Sequence, residues 1–571
     1  MLLKYKWWLV LAGVIAMNIG AEWMSVRLDL TDDQRYTLSA DTKTMLQNLD
    51  STITIDVLMK GNFPAVFRQL QKNTQYVLDE MREYAGNKMT VRFIKPGEGL
   101  SDSAQALLFD SLKAMGIQPY TLQVQQKAGE SAEQIVYPAA IIKKGGRAIS
   151  IDLLSGKTAY TRDPLSGRLQ LDEAKSINNA AALLEFKLAD AIYKLQQGKK
   201  PMIAYLTGNG EPTGPETFDL VQTLAPDYDL STLNPSEVNA IPSSFAAIIV
   251  VKPSIPFSDS IKMKLDQYVM QGGRILWFLD MLYAERDSLA FTRQTLAYDR
   301  NLNLDDLLFR YGVRIQRDLL QDMQCDMSKL VVGMAGDQPQ LTDVPFNYYP
   351  LLQAQNQHPI SKNLEPVLTR FTNTLDTVAA KGIKKSVLLT SSENAKTLST
   401  PAIISLDELK TIENPELYNK SNLPVAVLLE GKFNSLYANR ASNETKQYFT
   451  QAYGSFITQS EPNSMLVVAD GDVVLNEFSR QEPFAMGYSR VLERSFANRV
   501  FLMNVLQYMI GNPALVMLRN KEISLQLLNT ETVEAERLYW QMLNVAMPIL
   551  LIVLAGLTYR FWRNRRYKKQ Q

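Results

Sequence analysis

The C-terminal region contains the feature that most constrains the fold, an apolar run over residues 538–559. A run of this length can cross a lipid bilayer as a single helix. Six basic residues and no acid follow it, namely Arg560, Arg563, Arg565, Arg566, Lys568 and Lys569. Because basic flanks stay on the cytoplasmic side, the sequence predicts a transmembrane helix followed by a cytoplasmic tail.

A second apolar run occupies residues 7–21, interrupted by Asn18 and preceded by Lys4 and Lys6. We interpret residues 1–24 as an uncleaved membrane anchor whose lysines stay in the cytoplasm. A cleaved signal peptide is the alternative, because the run is short for a span and Gly20-Ala21 resembles a cleavage site. With an anchor at each end, both termini are predicted to be cytoplasmic and the residues between the two anchors to be extracytoplasmic.

Charge and rare residues exclude several function classes. The 571-residue chain has a net charge of +1, and without the eight basic residues of its two ends the remainder is at −7. A mildly acidic body beside a membrane span argues against nucleic-acid binding. Cys325 and His358 are the only residues of their kinds, which excludes a disulfide framework and argues against a Cys–His or Ser–His nucleophile. We therefore predict no metal, no cofactor and no catalytic residue.

The length exceeds what one hydrophobic core can organise, so we expect at least two domains. Residues 25–198 alternate predicted helices and strands, including a βαβ-like unit and a hairpin that turns at Gly145-Gly146. Within this region the pattern predicts one strand over residues 134–142 and one helix over residues 173–196. The boundary is placed at Lys199-Lys200-Pro201.

Residues 199–530 contain short apolar strands of the kind that are covered on both faces. The predicted fold class is therefore α/β, with two extracytoplasmic domains, the second built on a mainly parallel, doubly wound sheet of the flavodoxin or amidotransferase type. We expect an insertion near residues 281–386. A helix is predicted over residues 489–510 and a strand over residues 522–527, and residues 531–571 form the C-terminal transmembrane helix and basic tail.

Two glycine motifs resemble phosphate-binding loops. Leu154-Ser155-Gly156-Lys157-Thr158 ends like a P-loop, but the required first glycine would fall at Ile151, and the segment follows a hairpin. Thr207-Gly208-Asn209-Gly210-Glu211 follows a predicted strand and precedes a helix, yet Pro212 and Pro215 fit a dinucleotide fingerprint badly. We interpret the second motif as a tight strand-to-helix turn.

Polar residues beyond the ends of the predicted strands are the candidate ligand-binding residues, since ligands of open α/β sheets bind at that edge. They are Asn209, Glu211, Asp280, Asp470 and Asp472. Paired carboxylates could perform acid–base chemistry or bind a cation or sugar, which keeps an extracytoplasmic carboxylate-based hydrolase or sugar-binding enzyme as an alternative. The same acids could instead cap helices and end strands.

Several short motifs, taken in their order along the chain, resemble the gliding-motility ABC-transporter-associated family GldG of Bacteroidetes-type bacteria. They are Arg35-Tyr36-Thr37-Leu38-Ser39, Gly208-Asn209-Gly210-Glu211, Leu265-Asp266-Gln267-Tyr268 before Gly272-Gly273, Tyr348-Tyr349-Pro350-Leu351-Leu352, His358-Pro359-Ile360, Asp470-Gly471-Asp472 and Lys521-Glu522-Ile523. The resemblance runs over essentially the whole chain. Asn209 departs from it, because relatives often carry histidine there, and this weakens a role for the position in proton transfer.

The resemblance implies a non-catalytic auxiliary subunit of an ABC transporter, with its body in the periplasm and its anchors in the inner membrane. The partners it implies are a permease subunit and, through the permease, a cytoplasmic ATPase, without an established substrate. Two single spans cannot form a transport path, so we expect them to pack against another membrane protein or against each other, with the polar residues Asn18, Gln541 and Asn544 as the contact points. A two-fold permease would recruit two copies of the chain.

Overall fold

Helices and strands alternate along most of the chain. The computed structural model describes residues 37–125, 131–155, 160–162, 169–284, 289, 292–335, 338–355, 358–406, 414–479, 482–519 and 530–567. The first apolar run, Asn18 and the strand predicted over residues 522–527 lie outside these residues.

The helices are α1 Ala40–Gln47, α2 Ala65–Ala85, α3 Asp102–Ala114, α4 Glu173–Ala182, α5 Leu184–Gln197, α6 Phe218–Leu224, α7 Asp259–Met270, α8 Asp305–Tyr311, α9 Asn443–Tyr453, α10 Asn498–Met509, α11 Pro513–Arg519 and α12 Thr530–Tyr567. The strands of the N-terminal part are β1 Ile53–Val57, β2 Met89–Phe93, β3 Tyr120–Gln125, β4 Ser131–Val136, β5 Ala139–Lys144, β6 Arg147–Asp152, β7 Tyr160–Arg162 and β8 Leu169–Leu171.

The remaining strands are β9 Met202–Leu206, β10 Asp229–Leu233, β11 Phe245–Val251, β12 Arg274–Phe278, β13 Leu282–Tyr283, β14 Gln294–Asp299, β15 Val313–Ile315, β16 Asp318–Asp322, β17 Cys325–Ala335, β18 Gln338–Ala354, β19 Val367–Leu368, β20 Leu375–Thr377, β21 Ile383–Thr390, β22 Ala395–Ser399, β23 Ala402–Ser405, β24 Pro424–Gly431, β25 Asn463–Val468, β26 Phe478–Ser479, β27 Glu482–Pro483, β28 Tyr488–Ser489 and β29 Arg494–Ser495.

The N-terminal part contains the predicted βαβ unit and hairpin. β1 and β2 run parallel with α2 between them, and β5 and β6 complete a four-stranded sheet in the order β2-β1-β5-β6. Ser39 caps α1 as its sequence position suggests, because its side chain accepts a hydrogen bond from the Thr42 N–H. One buried face of α2 packs in the core of this part through Phe67, Leu70 and Met81.

Two predicted elements of this part are each two elements in the structure. The strand predicted over residues 134–142 is wrong because β4 ends at Val136 and β5 begins at Ala139. Pro138 lies between them and cannot donate to a sheet ladder, so the chain changes partner there: β4 pairs with β3, and β5 pairs with β1. The helix predicted over residues 173–196 is interrupted at Leu183, between α4 and α5.

A large sheet in the order β10-β9-β11-β12-β25-β24-β21-β18-β17 forms the centre of the second part, with β19 paired to β18. The five strands from β10 to β25 are parallel, whereas β25, β24, β21, β18 and β17 pair antiparallel. The sheet is therefore mixed, and the expectation of a mainly parallel sheet is not confirmed. The segment predicted as an insertion near residues 281–386 supplies β17 and β18 to this sheet.

The described residues from 37 to 519 form one compact unit, so a division into two domains at residue 198 is not confirmed. It nevertheless contains two large hydrophobic cores, one around α2 and α5 and one around the large sheet. Leu515 and Leu518 of α11 belong to the first of these cores although they follow the large sheet in sequence. The helix predicted over residues 489–510 is shorter, since α10 begins at Asn498.

The second unit contains α12. Within α12, Tyr539–Arg565 is the one candidate span that the described residues contain, by length and composition. Gln541 and Asn544 lie near the start of this stretch with exposed side chains, and Pro548 lies inside the helix without ending it.

Candidate functional site

Three neighbouring parallel strands bring charged residues to one edge of the large sheet. β11, β12 and β25 end in register, with Val251 beside Phe278 and Phe278 beside Val468. Lys252, Asp280, Asp470 and Asp472 follow these strand ends directly, and we call them together the aspartate cluster. The structure thus brings together three of the five candidate ligand-binding residues, as the strand ends predict.

Lys252 is the central cation of the aspartate cluster. Its Nζ lies 2.8 Å from Asp472 Oδ2 and 3.2 Å from Asp280 Oδ2. A Cβ on Gly471 would lie 2.6 Å from Lys252 Cβ, so only glycine allows the two loops to approach this closely.

Asp470 connects the cluster to a loop of the antiparallel region. Its Oδ2 accepts hydrogen bonds from the Arg370 N–H and the Thr372 hydroxyl, each at 2.6 Å, and its Oδ1 accepts from the Asp472 N–H. Asp280 Oδ1 accepts from the Gly471 N–H at 2.5 Å. Every carboxylate oxygen of the three aspartates therefore has a partner inside the protein, which is the arrangement expected of a buried polar network that holds loops together.

Burial and local charge set the protonation of the cluster. Burial raises the pKa of Asp280 against the opposing effect of Lys252. Burial and the charges of Asp280 and Asp472 raise the pKa of Asp470 well above its usual range. Burial opposes ionisation of Asp472 too, but Lys252 and Arg370 outweigh it and lower its pKa. One aspartate whose pKa is lowered thus lies beside two aspartates whose pKa values are raised, and the nearby cations account for the difference.

Asn209 and Glu211 lie in a separate turn after β9. The Asn209 carbonyl accepts hydrogen bonds from the N–H groups of Ser254 and Ile255, so this turn contacts the loop that follows Lys252. Glu211 Oε2 accepts from the Asn209 N–H at 2.7 Å. Among the described residues, Glu211 Oε1 and Asn209 Oδ1 are buried without a hydrogen-bond partner, and burial raises the pKa of Glu211. No hydrogen bond or ion pair within the described residues joins Glu211 to the aspartate cluster.

The sequence did not lead us to predict the residues that contact the aspartates, namely Lys252, Arg370 and Thr372. Lys252 directly follows a predicted strand, so its position offered a signal, whereas Arg370 and Thr372 lie about 100 residues from Asp470 in a loop without a motif. Asp266, in one of the motifs that carry the resemblance, is buried and accepts hydrogen bonds from Tyr311, Ser435 and the Leu436 N–H. Its contacts are those of a residue that holds α7 in place.

Cys325 and His358, the two residues argued against as nucleophiles, have the surroundings of residues with a structural role. Burial raises the pKa of the Cys325 thiol to about 12, which leaves little reactive thiolate. His358 Nδ1 accepts a hydrogen bond from the Ile360 N–H, and its ring packs edge-on against Tyr508. Across the part of the chain that the structure describes, no group of three His, Cys, Asp or Glu side chains is placed to hold a metal ion.

A mixed α/β body and a long helix apolar enough to cross a bilayer are features of a membrane-associated protein. The chain belongs to the ABC transporter auxiliary family, described as an ABC-type uncharacterized transport system, which matches residues 200–505. A domain of unknown function, DUF7088, matches residues 32–143. This membership supports a transport-associated accessory role. No curated protein matches the chain.

Two solved structures show weak likeness. The mmIFT52 N-terminal domain is 14% identical over 54% of this chain and 96% of its own, with a TM-score of 0.29. The exo-β-1,4-mannosidase Op5Man5 from Opitutaceae bacterium strain TAV5 is 9% identical over 71% of this chain and 46% of its own, with a TM-score of 0.20. Scores this low carry no argument about fold or function.

Proposed function

We propose that the chain is a non-catalytic auxiliary subunit of an ABC transporter, anchored in the inner membrane and docked on the permease. The observation that carries this proposal is the family match over residues 200–505 together with the apolar helix Tyr539–Arg565. The body lies in the periplasm, where it binds a ligand or partner or relays conformational change. A role in gliding motility rests on the resemblance of the short motifs alone.

The geometry of the aspartate cluster supports a non-catalytic role. Its carboxylate oxygens are taken up by backbone N–H groups, Thr372 and Lys252, so a substrate would have to displace contacts that hold the loops. A hydrolase with two carboxylates needs them on opposite sides of one bond, roughly 5–10 Å apart. The carboxylate-based hydrolase or sugar-binding enzyme is the alternative, and it would require two carboxylates of the cluster to be released from their present contacts.

Docking is tested by co-purification with the permease. The full chain and a chain shortened to residues 25–537 are each expressed with the permease and the ATPase. We expect the permease to co-purify with the full chain only, because the spans pack against other membrane helices. Equal recovery with the shortened chain would show that the body carries the contact. Native mass spectrometry of the intact complex then tests the proposed stoichiometry of two copies of the chain per two-fold permease.

The non-catalytic assignment is tested by nucleotide hydrolysis. Because the chain contains no complete phosphate-binding loop, we expect the purified protein alone neither to bind nor to hydrolyse ATP. Hydrolysis that persists after removal of all partner subunits would contradict the assignment.

A further inference from the structure

The two edges of the large sheet differ in how they are protected. β17 lies at one edge. Its pairing with β18 shifts register twice, and the strand contains Lys329. Bulges and lysines are devices that discourage an edge strand from pairing with another chain. β10, at the other edge, pairs with β9 in continuous register and contains no lysine, proline or bulge. Within the described residues no strand pairs with its outer side.

The outward main-chain groups of β10 belong to two residues. The Asp229 N–H donates to Pro201 O, and the Leu233 carbonyl accepts from the Thr207 N–H, so the odd-numbered residues of β10 bond inward to β9. Alternation along the strand then turns the N–H and C=O groups of Leu230 and Thr232 outward. An added strand can pair with these four groups, although the Thr232 carbonyl already accepts a long hydrogen bond of 3.4 Å from the Ser231 hydroxyl.

A cavity lies beside this edge, between α6 and the sheet. Its volume is about 250 Å³, and it is lined by residues including Ile203, Tyr205, Leu220, Val221 and Leu230. Small-molecule pockets typically measure roughly 300–1,000 Å³, so this cavity is better matched to one bulky side chain. Val221 is 46% exposed and Phe218 is 48% exposed, which extends the apolar surface around the opening.

The charge of this region selects the partner. Residues 201–251, which form the edge and most of the cavity, contain six acids and no lysine or arginine. Two lysines from outside this range reach it and donate to its carbonyls, Lys200 to Ala225 and Lys264 to Pro235 and Val238. Glu211 is buried, and Asp219 and Asp227 form ion pairs within the fold. The other three acids make no ion pair with any described residue: Glu216, Asp229 and Glu237.

We propose that β10 and the adjacent cavity form a docking site for an extended, basic polypeptide segment of a partner protein, which adds a strand to the sheet and inserts one bulky apolar side chain. Main-chain pairing supplies affinity and the side-chain cavity supplies specificity in this mode of recognition. A second copy of the chain is disfavoured as the occupant, because its β10 would bring a second acidic surface against the first.

The experiment measures peptide binding to the full chain in detergent by fluorescence anisotropy. The probe is a labelled seven-residue peptide that alternates lysine with threonine around a central phenylalanine. We expect binding that weakens at least about tenfold when the lysines become glutamates, when the phenylalanine becomes alanine, or when the amides on the pairing side are N-methylated. Failure of the lysine peptide to bind, or equal binding of the N-methylated peptide, would overturn the proposal.

Two protein variants test the location. Thr232→Pro removes an outward N–H, which an edge strand tolerates, and should weaken binding at least about tenfold, whereas Thr232→Val keeps the N–H and should bind nearly as the parent does. Should Thr232→Pro fail to fold, the exposed pair Asp229→Lys and Glu237→Lys should produce the same loss for the lysine peptide. If neither Thr232→Pro nor the two lysine substitutions changes the affinity, the peptide binds elsewhere and the proposal is overturned. A dimer of the parent that Thr232→Pro abolishes in sedimentation would identify a second copy as the occupant and overturn the proposal.

Discussion

Glu211 is buried and Asp472 is partly buried at the same edge of the large sheet, and their pKa values shift in opposite directions. Burial raises the pKa of Glu211, whose contacts are backbone N–H groups. Burial acts on Asp472 as well, but Lys252 and Arg370 lower its pKa overall. The strand ends predicted which acids reach this edge. They could not predict Arg370, which arrives from a distant loop, and so the protonation of the site could not be read from the sequence.

Replacement of Glu211 should make stability less dependent on pH. Because the folded pKa of Glu211 is raised, its favourable contribution is complete below about pH 4.3 and is lost as the pH rises through the folded pKa. In Glu211→Gln, the amide oxygen can still accept from the Asn209 N–H, and the amide nitrogen replaces the unpartnered oxygen. We expect the variant to melt on the order of 1–3 °C higher at pH 8, with a smaller gain at pH 5.

Thermal scans of both proteins from pH 5 to pH 8 measure this difference. A gain that is constant across the range would show that Glu211 does not titrate there, and a loss at pH 8 would show that its ionised form is stabilised by the fold.

Removal of Lys252 should be costly, since it would leave Asp472 and Asp280 buried without their cation. We expect Lys252→Met to lower the free energy of unfolding by about 3–5 kcal/mol. Adding Asp472→Asn should restore part of that loss, because the uncompensated charge is then absent. Lys60→Met is the matched control: its ion pair with Glu98 is exposed, so its loss should leave the midpoint of urea unfolding nearly unchanged. Equal costs at the two lysines would contradict the structural role of the cluster.

At the level of elements, the apolar pattern located the strands of the large sheet but not their directions. β24 and β25 both read as buried apolar runs, yet β25 is parallel to β12 while β24 is antiparallel to β25. Direction depends on the connections between strands, and apolarity on both faces does not encode it. Pro138 signals the break between β4 and β5. The apolar pattern continues across it, which is why a single strand was predicted there.

Gly431 ends β24 where that strand touches the start of β21. Its φ is +139°, and a Cβ there would lie 2.1 Å from the Gly382 carbonyl oxygen, so backbone would have to move. We expect Gly431→Ala to lower the free energy of unfolding by about 2 kcal/mol or more, through strain at a special backbone position. Gly454→Ala is the matched control, since Gly454 also has a positive φ but a Cβ there meets nothing within 4 Å.

Gly454→Ala should lower the free energy of unfolding by about 1 kcal/mol, the usual penalty for a non-glycine residue in the left-handed region. Urea unfolding of the two variants gives the comparison. A Gly431 variant no less stable than the Gly454 variant would show that the strands separate at that point without cost.

At the scale of the whole molecule, the two ends were predicted from length, apolarity and flanking charge alone. α12 contains a stretch long and apolar enough to span a bilayer, as residues 538–559 predicted. The N-terminal run lies outside the described residues and stays a prediction. The return of α11 to the N-terminal core could not be foreseen, because Leu515 and Leu518 carry no signal of which core they join.

The last prediction concerns the orientation of the chain in the membrane. The six basic residues after α12's apolar stretch, together with Lys4 and Lys6, should hold both ends in the cytoplasm, where basic flanks are retained. Reporter fusions at Lys4 and Gln571 should therefore score cytoplasmic, and a fusion within the β5–β6 hairpin at Lys143 should score extracytoplasmic. Replacing the basic residues among 560–569 with glutamine should weaken retention of the tail, whereas replacing Lys143 and Lys144 should leave the pattern unchanged. A cytoplasmic score at Lys143 would place the body, with its acidic β10 edge, on the same side as the ATPase and would refute the periplasmic assignment.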